Sequence, residues 1–169
     1  MISLSCTGES VRLTYSNQAD RIDDYVKRQL EANPDMRAVV NNGIVRLVES
    51  EGEGEELKEN GTVRFLYAGY DFSSFSISNN NLFATNSTVV AEEAGWNISD
   101  STLFGEKTVS LAEKALIDGL QKGLVGVKEN EVCCIIFPGD RGFGGKALGT
   151  IPAYAPLAYR FWIEKIENF

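Results

Sequence analysis

The chain has 169 residues, a formal net charge of −8, no histidine and three cysteines. A length of this order suits one domain with a single core and room for an appendage. The negative charge argues against nucleic acid, because phosphate binding needs a Lys/Arg surface; without histidine the commonest general base and transition-metal ligand are missing, and three cysteines are too few for a disulfide framework.

No stretch approaches the roughly 20 apolar residues of a membrane-spanning helix. The opening Leu4-Ser5-Cys6 partly resembles the end of a bacterial lipoprotein signal, without the charged and apolar regions that precede such a cysteine. Two readings stand: attachment to the bacterial envelope through a lipidated Cys6, or a plain cytosolic start.

Residues 10–16 read as irregular. Asn17 to Asn33 reads as a helix, with Ile22, Tyr25, Val26 and Leu30 forming an apolar stripe that Pro34 ends. The stripe is narrow, which favours packing on the domain over dimerisation or service as a spacer. Arg37–Val40 and Ile44–Val48 read as strands joined by Asn41-Asn42-Gly43, a strong hairpin signal. Glu49 to Asn60 is acidic and reads as solvated. Thr62–Tyr70 reads as a strand with Val63, Phe65 and Tyr67 on one face.

Residues 71–106 are Ser/Asn-rich and weakly patterned, so they are either functional or partly structured. Ser110-Leu111-Ala112-Glu113 has the form of a capping box, predicting a helix through Ala115, Leu116 and Leu120 that fades at Gly123 and Gly126. Glu131–Phe137 reads as a buried strand, in which Cys133 and Cys134 point to opposite faces as structural thiols. Leu157, Tyr159, Phe161 and Ile163 alternate in a terminal strand. The pattern is α+β.

Several motifs lead nowhere. Gly142-Phe143-Gly144-Gly145-Lys146 lacks the spacing and the strand–helix setting of a phosphate loop. The carboxylates Glu51–Glu56 and Asp23-Asp24 sit in solvated segments, away from the apolar setting that separates catalytic pKa values. Asn60, Asn86 and Asn97 fit the glycosylation sequon, a pattern common by chance.

Other segments, taken in order, resemble the FKBP-type peptidyl-prolyl isomerases from about Val45 to Ile166. Gly52-Glu53-Gly54 and Gly61-Thr62-Val63 resemble the family's opening glycine run. Arg64 to Gly69 resembles its Tyr-Thr-Gly strand, and Ala115 to Leu120 its Val-Ile-x-Gly-Trp helix. Gly126 to Glu131 resembles a family turn, with Asn130 in the glycine's place. Pro138 to Gly144 is similar to the Pro-x-x-x-(Ala/Gly)-Tyr-Gly loop, and Ile151 to Leu157 to the Ile-Pro-Pro signature.

The resemblance implies an FKBP-like twisted antiparallel sheet wrapped around a central helix that starts near Leu111, plus the N-terminal helix. It divides the chain into an extension at 1–43 and a domain at 44–169 with a long insertion at about 71–106. By position it implies a pocket formed by Tyr67, Phe83, Ile117, Phe143, Ile151 and Tyr159, with Val109, Leu116, Leu120 and Ala84 around the substrate. Phe104 is an alternative for one aromatic place.

It further implies proline-containing polypeptides as substrates, and neither metal nor cofactor. Ala84 replaces an acidic residue of the family pattern, Leu120 its floor tryptophan and Phe143 its rim tyrosine. The implied activity is cis-trans isomerisation in an apolar pocket, with the Ile117 N–H holding the substrate carbonyl; the alternative is a binding or chaperone module of the same fold with little activity.

Overall fold

The structure, a computed structural model, describes residues 4–169, with side chains from Gly8 onward. The Cys6 side chain, and with it the lipidation reading, lies outside the described residues. Helix α1 spans Leu4–Ala32. Among the described residues, no helix is long and apolar enough to cross a membrane.

Strands β1 (Arg37–Asn41) and β2 (Ile44–Ser50) form the expected hairpin. Asn42 and Gly43 have φ of 50° and 81°. Two consecutive left-handed residues match the twist of the strands they join, and Asn-Gly tolerates them best. Strand β3 is Thr62–Asp71, β4 Leu82–Thr85 and β5 Lys107–Ser110; a short helix α2, Thr88–Glu93, lies between the last two. Helix α3 is Asp118–Gly123, β6 Val132–Phe137 and β7 Leu157–Glu167.

All the pairings are antiparallel, in the order β1-β2-β6-β7-β3-β4, and β5 pairs with the other end of β3. Successive side chains on a strand face opposite ways, so β6 and β7 feed two cores. Cys133, Ile135, Phe137, Leu157, Tyr159, Phe161 and Ile163 pack on one face with Phe65, Leu120 and Leu124. Cys134, Ile136 and Ala158 pack on the other with Ile22, Val26, Leu47 and Phe72. Helix α1 therefore covers one face of the sheet, and α3 covers the other.

Three expectations need correction. Residues 10–16 are helical, not irregular, so the helix begins well before Asn17. Their polar pattern reflects exposure: Leu13 faces solvent, and the contacts here come from Tyr15 and Gln18.

The helix also does not start at Leu111. Ser110 is already paired with Thr62 across β5 and β3 and makes no side-chain cap. The Leu111 N–H donates to the Gly61 carbonyl at 2.9 Å. A single 3₁₀ turn, Leu111–Glu113, follows and is broken by Lys114 at φ 51°. Only after that reversal does α3 begin, with the Ile117 carbonyl accepting from the Leu120 and Gln121 N–H groups.

Residues 71–106 are partly structured, one of the two readings their sequence allowed: they hold β4 and α2, and the buried Asn86 ties them down. Its side-chain oxygen accepts from the Tyr67 N–H at 2.7 Å, and its NH₂ donates to the Phe65 and Gly105 carbonyls at 3.1 and 2.9 Å. The 49–60 segment is largely solvated as expected, but it needs one correction, since it buries Leu57.

Candidate functional site

Between α3 and the sheet lies an open cavity of about 240 Å³. This is just under the roughly 300–1,000 Å³ of pockets for drug-sized ligands, a size suited to one side chain rather than an extended cofactor. Strand β3 supplies Phe65 and Tyr67, β4 Ala84, β5 Lys107, and β7 Tyr159 and Phe161. Ala115, Leu116 and Ile117 line it on the approach to α3, Leu120 and Leu124 at its base, and Phe143 from the loop at 138–156.

The aromatic wall follows from strand parity. Tyr159 and Phe161 are two apart on β7, and Phe65 and Tyr67 two apart on the neighbouring β3, so all four rings face the same way. Phe65 meets Phe161 edge-on at 5.0 Å between centroids; Tyr67 lies 6.3 Å from Tyr159 and 6.4 Å from Phe161. Such offset and edge-on pairs are each worth about 0.5–1.5 kcal/mol beyond the area they bury, which keeps the wall rigid.

Burial pushes the Tyr67 hydroxyl above its ordinary pKa. Burial, and then Tyr67 itself, pushes that of Tyr159 further up. Both rings stay protonated at neutral pH and keep an O–H to donate.

The opposite wall is held by backbone. Gly119 abuts β6, where a Cβ would overlap the Phe137 ring, so α3 approaches the sheet closely and brings Leu120 to the cavity base. Ile117 caps the helix with an extended backbone. Among the described residues its N–H has no backbone partner, while its carbonyl accepts from the helix.

The Phe143 loop is fixed from two sides. Arg141 donates to Asp118 at 2.8 Å and to the Asn42 carbonyl at 3.1 Å. Lys122 first, then Arg141, hold the Asp118 carboxyl below its usual range. On the far side the buried Gln18 of α1 donates to the Tyr154 carbonyl at 2.8 Å and accepts from the Gly139 N–H at 2.9 Å.

Of the residues expected from sequence, Tyr67, Ala84, Leu116, Ile117, Leu120, Phe143 and Tyr159 line the cavity. Phe83 stands behind its wall, edge-on to Tyr159 at 5.7 Å and to Phe143 at 6.4 Å. Ile151 is buried in the adjacent core, in a tight turn with Leu148, and Val109 packs against that core from β5. Neither these two nor Phe104 lines the cavity.

Sequence reasoning missed Phe65, Phe161, Lys107, Ala115 and Leu124. Phe65 and Phe161 carried a usable signal, the same alternation that singled out Tyr67 and Tyr159. Lys107 carried none, since its strand is short and follows a polar segment. Among the described residues, no group of three or more His, Cys, Asp or Glu is placed to hold a metal ion.

A family model described as FKBP-type peptidyl-prolyl cis-trans isomerase matches residues 54–163. Over 129 residues the chain is 26% identical to the FKBP-type peptidyl-prolyl cis-trans isomerase FkpA of Buchnera aphidicola, an alignment spanning 76% of this chain but 42% of that protein. The crystal structure of FkpA from Escherichia coli superposes with a TM-score of 0.59 at 16% identity, over 95% of this chain and 64% of that one. A peptidyl-prolyl cis-trans isomerase from Pseudomonas syringae gives the same score and identity over 90% and 96%, and the three FKBP domains of wheat FKBP73 do so over 78% and 51%. At these identities the structural likeness is one of fold. With the matched span taking in α3, the cavity walls and most of the sheet, this chain belongs to the FKBP-type peptidyl-prolyl cis-trans isomerase family.

Proposed function

We propose that the chain catalyses cis-trans isomerisation of Xaa-Pro bonds and that the cavity between α3 and the sheet is where it does so. The observation that carries this reading is the cavity itself: open, walled by aromatic and branched side chains, and unobstructed by the 71–106 segment, from which only Ala84 reaches it. Residues 44–169 would be the catalytic unit, with α1 covering the sheet face away from the cavity and β1 extending the sheet edge.

Rotation about an Xaa-Pro bond crosses a barrier of about 18–20 kcal/mol, because amide resonance must be broken. No bond is made or cleaved, so a chain without histidine loses nothing. The proline ring enters between Tyr67, Tyr159 and Phe161 above Leu120. The Ile117 N–H holds the carbonyl of the neighbouring peptide unit on the rim. The twisted amide has less charge separation than the planar one, so an apolar surround favours it. A thousandfold acceleration requires only about 4 kcal/mol of differential transition-state binding.

The test is the cis/trans exchange of a short Xaa-Pro peptide, followed by NMR with and without protein, beside a folded Tyr67→Ala variant. Acceleration that the variant loses supports the reading. No acceleration by the folded wild type overturns it in favour of a binding module, the reading that Ala84 and Leu120 favour through the polar and aromatic contacts they omit.

A further inference from the structure

The cavity has one charged side chain among its described lining residues, Lys107. It projects from β5, held in register opposite Phe65 of β3, and is exposed to solvent. Two of the carboxylates nearby in sequence or on the cavity's helical side are engaged, while Glu113, exposed two residues before Ala115, has no ion-pair partner among the described residues. Glu106 pairs with Arg64 at 2.9 Å, and Asp118 with Lys122 at 2.9 Å and Arg141 at 2.8 Å. Among the described residues no carboxylate lies within ion-pair distance of the Lys107 ammonium.

We propose that Lys107 makes this cavity selective for Xaa-Pro segments that carry an acidic side chain next to the proline. This rests on the isomerase reading above. A proline ring is neutral, so the complement of an unpaired ammonium on the wall must come from a residue flanking it. Ala84 adds no charge on the β4 side, so nothing there opposes an incoming carboxylate. Lysine suits the role, because its stem packs along apolar surface while the head stays in water. The net charge of −8 repels acidic peptides at long range. Screening over about 8 Å at physiological salt leaves the local charge to decide once a peptide is in the mouth.

Capped peptides with Glu, Gln or Lys placed before or after the proline provide the test. For each, the exchange rate and the amide-shift affinity are measured at low and at high salt, with wild type, Lys107→Met and Lys107→Glu, each shown by circular dichroism to be folded. Wild type should prefer the Glu peptide over the Gln peptide by about two- to fivefold at low salt, the range of an exposed ion pair. The preference should shrink with salt, vanish in Lys107→Met and reverse towards the Lys peptide in Lys107→Glu.

An equal Glu-to-Gln ratio in all three proteins overturns the proposal while leaving the isomerase reading intact if exchange is still accelerated. Affinities that follow the charge without any acceleration support the selectivity and overturn the isomerase reading. Absence of both binding and acceleration overturns both.

Discussion

Gly119 sits where the first turn of α3 meets β6, and its lack of a side chain sets the depth of the cavity. Gly119→Ala should cost about 1–3 kcal/mol, the range for overpacking a filled core, read from urea unfolding; an unchanged midpoint would show that the Phe137 ring can move aside. Asn86 plays the corresponding part across the cavity, bridging the backbone of Phe65 and Tyr67 to Gly105. Nothing in the sequence marked it beyond a chance sequon, because a side chain that replaces backbone partners leaves no periodic trace. Asn130 could be anticipated: standing where the family pattern has glycine, it adopts φ 66°, a left-handed conformation that asparagine tolerates better than most residues.

A buried ion pair lies apart from the cavity. Arg46 of β2 donates to Glu131 at 2.6 Å, with 5% and 0% of their surfaces exposed. Removing one partner strands the other charge, so Glu131→Ala should destabilise by about 3–5 kcal/mol. Replacing both residues with apolar ones of similar volume should recover much of that loss; a double variant no more stable than the single would mean that the pair is structurally indispensable.

At the scale of elements, legibility followed parity and turn chemistry. The β1–β2 hairpin and the alternation of β7 were plain because one buried face and one Asn-Gly turn specify each. The start of α3 was not: the Ser110–Glu113 pattern has the letters of a capping box, but pairing of β5 with β3 holds Ser110 in a strand, and tertiary pairing overrode the local signal. The early half of α1 was obscured for a different reason, since its apolar residues form no buried stripe: Leu13 faces solvent and Tyr15 meets the Tyr154 ring, before Gln18 reaches the loop. Gln18→Ala leaves the Gly139 N–H buried without its partner, which should cost about 1–3 kcal/mol. The same change should loosen the loop that carries Phe143, so peptide affinity should fall as well; equal stability with unaltered affinity would show that the loop does not depend on α1.

For the molecule as a whole, the pH dependence has a definite sign. Burial raises the pKa of Tyr67, Tyr70 and Tyr159, and that of Tyr25 to about 12. The Cys133 and Cys134 thiols are also raised, by burial first and then by the carboxylates of Glu131 and Glu49 respectively. Unfolded, these groups release their protons from about pH 8.5 for the thiols and about pH 10 for the tyrosines. Folded, they hold them longer, so the native state binds more protons in that window and stability falls as pH rises through it. The melting temperature should decline progressively above about pH 9. With no histidine to titrate, the exchange rate itself should stay flat between about pH 6 and 8, and a bell-shaped profile there would argue for acid–base chemistry that the cavity does not contain.

The account's central claim is that the cavity between α3 and the sheet accepts proline and speeds its isomerisation. The most direct measurement records both in one sample: the amide-shift map of isotopically labelled protein during titration with a short Xaa-Pro peptide, together with the exchange cross-peaks of that peptide. The account predicts that shifts centre on Tyr67, Ala84, Lys107 and Ile117 while the exchange peaks grow with catalytic amounts of protein. Exchange accompanied by shifts centred away from the cavity, around Gln18 and Tyr154 where α1 meets the loop, or cavity shifts with no exchange from folded protein, would contradict it.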